Sequence, residues 1–309
     1  MSGRIRFSVV ICTYSMERLP DLLEAINSVV LQTYPFIEIV VVVDGNRELY
    51  EILVKKKLDV VLHLNENNLG LSASRSIGTQ IATGDVVAFL DDDAIADPHW
   101  LVTLSHKYLC EGVVCVGGKL KPLWVCEERS FIPEEFWWLI GATPKGSPER
   151  DVEVRNTYGS NISFLRETFL RVGGFDTAFG FNAGKNMVLQ GEEADICTRI
   201  KHVTGGTVWY LPDAVVWHKV FRSRVGVVAL FRRAFWQGYS KRVMKESSPD
   251  SLGQEYGFLN YVLFTGIPER VRGLVSRNVV VNAVQLFFLI AFTKVVGLGY
   301  VYRMVNNKS

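Results

Sequence analysis

Hydrophobic and polar positions fall into two alternating periods over the first hundred residues. FSVVICTY (7–14) is an apolar run with the length of a strand. In LPDLLEAINSVVLQ, Leu22, Leu23, Ile26, Val29 and Val30 share one face at helical spacing, so the segment predicts a helix. IEIVVVVDG predicts a fully apolar strand ending at Asp44-Gly45. A second helix follows over about 47–57, and DVVLHLN predicts a third strand. LSASRSIGTQIA then predicts a helix and DVVAFL a fourth strand. Val/Ile runs without alternation mean strands buried on both faces. Their alternation with helices predicts a mainly parallel sheet covered by helices, an α/β fold. On such sheets ligands bind at the carboxyl ends of the strands.

Past residue 120 the texture changes. KPLWVCEERSFIPEEFWWLIGATPKGSP is rich in aromatics, Pro and Gly. Its Trp124, Trp137 and Trp138 read either as core or as a wall for a sugar or lipid-linked substrate. RNTYGSNISFLR predicts a strand, RETFLRVGGFD a short helix with a Gly-Gly turn, and GEEADICTRIKHV a helix opened by two glutamates, where the helix dipole favours them. TVWYLPDAVVWHKV predicts two short strands ending at His218, and SRVGVVALFRRAFWQGYSKRVMK a basic amphipathic helix.

The segment Val279–Val301 holds one charge, Lys294. As a helix it would extend roughly 34 Å, against a hydrocarbon core of about 30 Å. Asn282, Gln285 and Thr293 form a polar stripe that suits an in-plane helix or helix pairing as well as a lone span. Arg270, Arg272 and Arg277 precede it, and Arg303 and Lys308 follow, so flanking charge gives little orientation signal. Tyr256–Ile267, ending at Pro268, is too short to span and suits the interface.

Composition narrows the function. A net charge of +2 in 309 residues gives no global basic field for nucleic acid. Five scattered cysteines argue against a disulfide framework or a structural zinc and fit a reducing cytoplasm. The opening MSGRIRFSVVIC reads as a strand rather than a signal peptide. The glycines at 70 and 78 in NNLGLSASRSIG do not make a dinucleotide fingerprint, and a phosphate-binding G-x-x-x-x-G-K-[ST] loop is absent.

The candidate chemistry starts at VVAFLDDDAIADPHW (86–100), where a buried strand ends in three aspartates. Adjacent like charges disfavour one another's ionisation. One reading is a solvated turn, with Asp97-Pro98 capping the next helix. The other is a divalent-cation site, since hard cations take carboxylate oxygens. Thr13, Tyr14, Asp44 and Asp91–Asp93 all fall at predicted carboxyl ends of strands, which favours the second.

From about 7 to 245 the chain resembles the inverting family 2 glycosyltransferases. The resemblance rests on FSVVICTYSMERLPDLLEAINSVVLQTYP, VVVVDG, NNLGLSASRSIGTQIATGDVVAFLDDDA, VGGFD, GEEADICTRI and VVWHK, in that order and spacing. FIPEEFWWLIGATPKG, VRNTYGSNISFLR, HKVFRSRV and FRRAFWQGYSK further resemble the archaeal glucuronosyltransferases that extend glucose on dolichyl phosphate. The resemblance implies a GT-A, Rossmann-like nucleotide-diphospho-sugar transferase fold with membrane-associated C-terminal helices. It divides the chain into a nucleotide-sugar half (1–120), an acceptor and catalytic half (121–247) and a helical membrane region (248–309). It implies Mg²⁺ or Mn²⁺ as cofactor, with Asp93 as principal ligand, His218 at the metal or diphosphate, and Asp91 at the ribose or the metal. Asp92 joins the sugar-nucleotide contacts. Asp44, Thr13 and Tyr14 line a uracil pocket, and Arg75 lies near the diphosphate.

Glu193 aligns with the base that deprotonates the acceptor hydroxyl, and Glu192 supports it or shares the role. A helix-capping role for the pair stays open. Arg155, Arg199 and Arg222 are candidates to pair with a glucuronate carboxylate. The implied reaction is transfer of a sugar, glucuronic acid, from UDP-glucuronate to a polyprenyl-phosphate-linked sugar acceptor. It would take place at the cell membrane with the catalytic domain on the cytoplasmic side. Transfer of another hexose to a lipid-linked or surface glycan is the alternative within the class. A catalytically inactive sugar-nucleotide-binding protein is the alternative outside it.

Overall fold

The computed structural model describes residues 5–177, 180–181, 188–189, 191–247, 253–275 and 278–306. Arg277, Lys308 and the expected boundary at 248 lie outside these. The chain forms two compact units. The first comprises Met1–Lys121, Pro148–Asn186 and Glu192–His218; the second comprises Pro122–Ser147, Met187–Gly191 and Lys219–Ser309.

In the first unit the alternation is as predicted: β1 (Phe7–Thr13), α1 (Leu19–Val30), β2 (Ile37–Asp44), α2 (Arg47–Lys56), β3 (Val61–Asn65), α3 (Leu71–Ile81) and β4 (Val86–Asp91). Next come β5 (Ala94–Ala96), α4 (Trp100–Tyr108), β6 (Val113–Trp124), β7 (Val152–Glu153), β8 (Ile162–Leu165) and α5 (Arg166–Arg171). The two-residue strand β9 (Gly180–Phe181) follows here and β10 (Val188–Leu189) falls in the second unit, before α6 (Glu192–Thr204) and β11 (Thr207–Val220). Among the described residues the main sheet runs β3-β2-β1-β4-β8-β6-β11-β5, with β7 also on β11. The expected parallel order holds across β3, β2, β1 and β4. Beyond them the sheet is mixed, because β8 lies antiparallel to both β4 and β6.

Successive side chains of a strand point to opposite faces, and each face has its own core. Phe7, Val9 and Ile11 pack with Val41, Val43 and Leu90 beneath α1, α2 and α4. Val10, Val40, Val42, Val87 and Phe89 pack with Phe164, Phe169 and α6 on the other side. The register aligns the carboxyl ends: Cys12 lies opposite Asp91, Thr13 opposite Val43, and Asp44 opposite Asn65.

Two local expectations fail. TVWYLPDAVVWHKV is one fourteen-residue strand, not two. Its edge partner is β7 at Trp209 and Tyr210 and β5 at Val216–His218, and Pro212, which has no N–H to donate, falls between them. In RNTYGSNISFLR only Ile162–Leu165 is strand. Residues 158–161 form a tight turn held by Asn161 N–H to the Tyr158 carbonyl at 2.8 Å.

The second unit is helical: α7 (Val227–Ser247), α8 (Gly253–Tyr261), α9 (Ile267–Gly273) and α10 (Val279–Asn306). A π-helical turn, Val262–Gly266, joins α8 to α9 just before Pro268. Its core sets Phe136, Leu139 and Ile140 against Leu230, Ala234, Leu289 and Phe292, with Trp124, Trp137 and Trp138 partly buried around it. Of the two readings of these tryptophans, this packing carries the core one. Glu135 and Arg270 form a buried ion pair at 2.6 Å. All five cysteines are free thiols.

Candidate active site

The site stands at the carboxyl edge of the parallel strands. Asp91 ends β4, and the turn after it returns as β5, whose Ala94 pairs with His218 of β11. That pairing brings His218, distant in sequence, beside the aspartates. Its Nε2 is 3.3 Å from Asp93 Oδ1 and 3.9 Å from Asp91 Oδ2. The other oxygen of each aspartate turns to an arginine. Arg75 Nη2 donates to Asp91 Oδ1 at 2.7 Å, and Arg18 Nη1 lies 3.6 Å from Asp93 Oδ2. Asp93 and His218 are buried.

Asp91, Asp93 and His218 each offer a ligand atom within 4.8 Å of the others. Both arginines place positive charge beside the carboxylates. Two hard oxygens and one imidazole nitrogen suit a divalent cation of the Mg²⁺ or Mn²⁺ kind better than a thiolate-seeking metal. Burial first, then Asp93 and Asp91, against Thr13 and Arg18, together hold the Asp92 carboxyl up at about 7.

Arg75 is buried on α3, with its guanidinium 5.7 Å from the Phe89 ring centroid and 5.8 Å from that of Phe175. Burial opposes its charge, but Asp91, Glu193 and Glu192 outweigh burial and raise its pKa. Glu192 and Glu193 open α6. Burial pushes Glu193 up to about 8, with Glu192 adding to the effect and Arg75 opposing it. Cys12 sits among the same charges, and burial pushes its thiol up, so it stays neutral.

Asp44 stands apart from this cluster. Its carboxylate accepts from Asn65 Nδ2 at 2.8 Å and from the N–H groups of Leu69 and Gly70 at 2.9 Å each. These bonds tie β2 to the entry of α3. A carboxylate has about four acceptor positions, so roughly one stays open for a ligand. Thr13 is buried at the end of β1, while Tyr14 is 61% exposed. Arg199 is committed: it pairs with Asp195 at 2.7 Å and donates to the carbonyls of Val172 and Gly174.

Three contributors escaped the sequence reading. Arg18 reaches Asp93 from the turn before α1, and sequence spacing carries no signal of that approach. A Cβ at Gly159 would collide with Glu193 Oε1 and sit 2.9 Å from Arg75 Nη1. The 158–161 turn therefore passes directly beneath the glutamate and the arginine. Asn161 accepts from Trp100 Nε1 at 2.8 Å and donates to the carbonyls of Lys119 and Ala214, fixing that turn against β6 and β11. Gly159 and Asn161 lie within the GSN triplet that carried part of the family resemblance, which was the available clue.

A parallel-sheet edge carrying a D-x-D pair, a histidine and an acidic pair at a helix start defines a nucleotide-sugar transferase of the GT-A fold. Residues 8–173 match the sequence model of glycosyl transferase family 2, and the chain belongs to that family. It is 44% identical to the glucosyl-dolichyl phosphate glucuronosyltransferase of Haloferax volcanii, over 98% of this chain and 97% of that one. It is 27% identical to the succinoglycan biosynthesis protein ExoM of Rhizobium meliloti, over 76% and 73% of the two chains. Among solved structures, the mannosyltransferase PcManGT from Pyrobaculum calidifontis, in complex with GDP-Man and Mn²⁺, shares the fold. Its TM-score is 0.60 at 17% identity, over 100% of this chain and 89% of that one. GalNAc-T7 with UDP, GalNAc and Mn²⁺ gives 0.56 at 18%, over 84% and 54%.

Proposed function

We propose that the chain transfers glucuronic acid from UDP-glucuronate to a dolichyl phosphate-linked sugar, at the membrane and with inversion. The observation that carries this reading is the 44% identity to the glucuronosyltransferase, which runs end to end rather than over the nucleotide half alone. In this reading residues 1–120 hold the nucleotide sugar, 121–247 hold the acceptor, and 248–309 attach the protein to the membrane on its cytoplasmic side.

Asp93, Asp91 and His218 would hold the divalent cation, which as a Lewis acid stabilises charge on the departing diphosphate. Arg75, locked to Asp91, adds its positive charge on the same side. Asp44 uses its open acceptor position for the uracil N–H, with Tyr14 against the ring and Thr13 at the pocket floor. Asp92 faces the sugar nucleotide.

Glu193 takes the proton of the acceptor hydroxyl. That oxygen forms the new bond to the anomeric carbon as the bond from that carbon to the UDP oxygen breaks, so UDP departs and the configuration inverts. A base whose pKa lies near the working pH is effective in proton transfer, and burial beside Glu192 puts Glu193 in that range. Glu192 shares the role by raising the basicity of its neighbour.

The test is a donor screen with lipid-linked glucose as acceptor, in membranes containing this chain with Mn²⁺ or Mg²⁺. Transfer from UDP-glucuronate well above that from UDP-glucose supports the reading. A preference for another hexose donor replaces the sugar. Binding of donors without transfer or UDP release from any of them would make the chain a binding protein.

A further inference from the structure

α10 has 28 residues, about 42 Å at 1.5 Å per residue, and is apolar enough to cross a bilayer. Its neighbour points to another placement. α7 runs alongside it in the same direction. Phe231 packs on Phe288 and Phe292, Arg242 lies over the Tyr300 ring, and Glu246 pairs with Arg303 at 3.0 Å. The two backbones close up at paired glycines. A Cβ at Gly238 would collide with the Val296 carbonyl, and one at Gly299 with the Phe235 carbonyl. A helix locked to α10 over this length goes wherever α10 goes.

α7 carries Arg232, Arg233, Lys241, Arg242, Lys245 and Glu246. Were α10 to cross the membrane, this charged row would enter hydrocarbon beside it. Ionised side chains there are costly and occur where they face partners or water. Lys241 has Glu255 at 2.6 Å and Arg242 has Glu246 at 3.2 Å, whereas Arg232 is exposed. Lying in the interface, α10 asks none of these groups to leave water.

The opposite side of α10 is apolar and open. Val280, Val284, Phe287 and Ile290 recur there at three- and four-residue steps, and beyond Lys294 the row resumes at Leu298 and Val301. α9 abuts the start of α10, where Gly273 meets Asn282, and Val271 and Val275 beside that contact are exposed. Lys294 lies within this stripe and is exposed. A second copy seated on the stripe about a two-fold axis would bring two Lys294 ammonium groups into one apolar seam. A bilayer instead offers acyl chains to the valines and a lipid phosphate to Lys294, which reaches it by extending its stem.

We propose that α10 is embedded lengthwise in one leaflet of a phospholipid bilayer through this face, and does not span it. The proposal rests on the membrane attachment in the proposed function and not on its donor or acceptor. The test uses the full chain with one epitope before Met1 and another after Ser309, in sealed membrane vesicles treated with protease. An in-plane α10 gives both epitopes the same fate in every vesicle population. One epitope digested while the other is protected until detergent is added overturns the proposal. Depth gives a second readout. In the separate variants Val280→Trp and Ile290→Trp, bilayer-bromine quenching above the wild-type signal should be equal. Spanning would put one near the interface and the other near the midplane, about 15 Å apart in depth, and grade the quenching. A protein that stays out of the membrane fraction while still transferring sugar to a water-soluble acceptor overturns the attachment and leaves the chemistry standing.

Discussion

Replacing Glu193 by Gln removes one ionisation while keeping the length and shape of the side chain. The carboxyl normally titrates near 4.5 and is held up to about 8 here, by burial first and by Glu192 second. Because its folded pKa lies above the unfolded one, the folded state binds the extra proton between those pH values. Stability therefore falls as pH rises through that window, with a slope of about 1.4 kcal/mol per pH unit for one proton. From pH 6 to pH 9 the wild type should lose roughly 2–3 kcal/mol from this group, or about 5 °C in Tm for a chain of this size. The variant has no such group and should lose less by that amount, so it becomes the more stable protein at high pH. Its transfer rate should drop about 10²- to 10⁴-fold, the usual contribution of a positioned base, while UDP-sugar binding persists. Wild-type activity should climb from pH 6 toward pH 8 as the carboxyl ionises. Thermal unfolding of both proteins at several pH values, alongside single-turnover transfer, reads all of this. A Tm difference that is flat with pH would refute the buried-ionisation reasoning. A variant with wild-type transfer would refute Glu193 as the base.

Asp93→Asn and His218→Ala should each weaken Mn²⁺ dependence, raising the cation concentration for half-maximal transfer by about 10-fold or more, as read by metal titration of activity. Gly159→Ala pushes a methyl into Glu193 and Arg75; transfer should fall at least about 10-fold with the far-UV circular dichroism unchanged, and full activity would mean the turn can move aside. Arg270→Ala strands Glu135, a carboxyl that burial already pushes upward against Arg270 and Lys145. Breaking such a pair destabilises by about 3–5 kcal/mol. The double variant Glu135→Leu with Arg270→Met should recover most of the loss in chemical denaturation, and no recovery would locate the damage in packing.

Much of this protein is legible in one dimension. Short Val/Ile runs bounded by turn residues read as strands buried on both faces, and the helices between them make the first four strands run parallel. That was enough to expect Thr13, Asp44 and Asp91 on one edge, where the register puts them. The order of short motifs was enough to place the chain in its family. Long-range electrostatics was not legible. Nothing in the spacing of Arg18, Arg75 or Gly159 shows that they converge on Asp93, Asp91 and Glu193, because those meetings are made by chain returns of differing length. Asp44 shows the same limit from the other side. Its position at a strand end is readable, but its engagement with Asn65, Leu69 and Gly70 depends on how the loop before α3 closes.

The C-terminal helix divides the two kinds of knowledge most sharply. Residue content fixes its hydrophobicity and length, because both are sums over positions. Whether such a helix is compatible with crossing a membrane depends on what is bound along its side. That is set by the Gly238 and Gly299 contacts with α7, which no property of residues 279–306 alone contains. Residue pattern and motif order were enough for the parallel strands, the family and the residue types at the site, but not for the antiparallel half of the sheet. The tertiary structure decided which charges neutralise which, since Coulomb energy and burial depend on distances that only the folded chain defines.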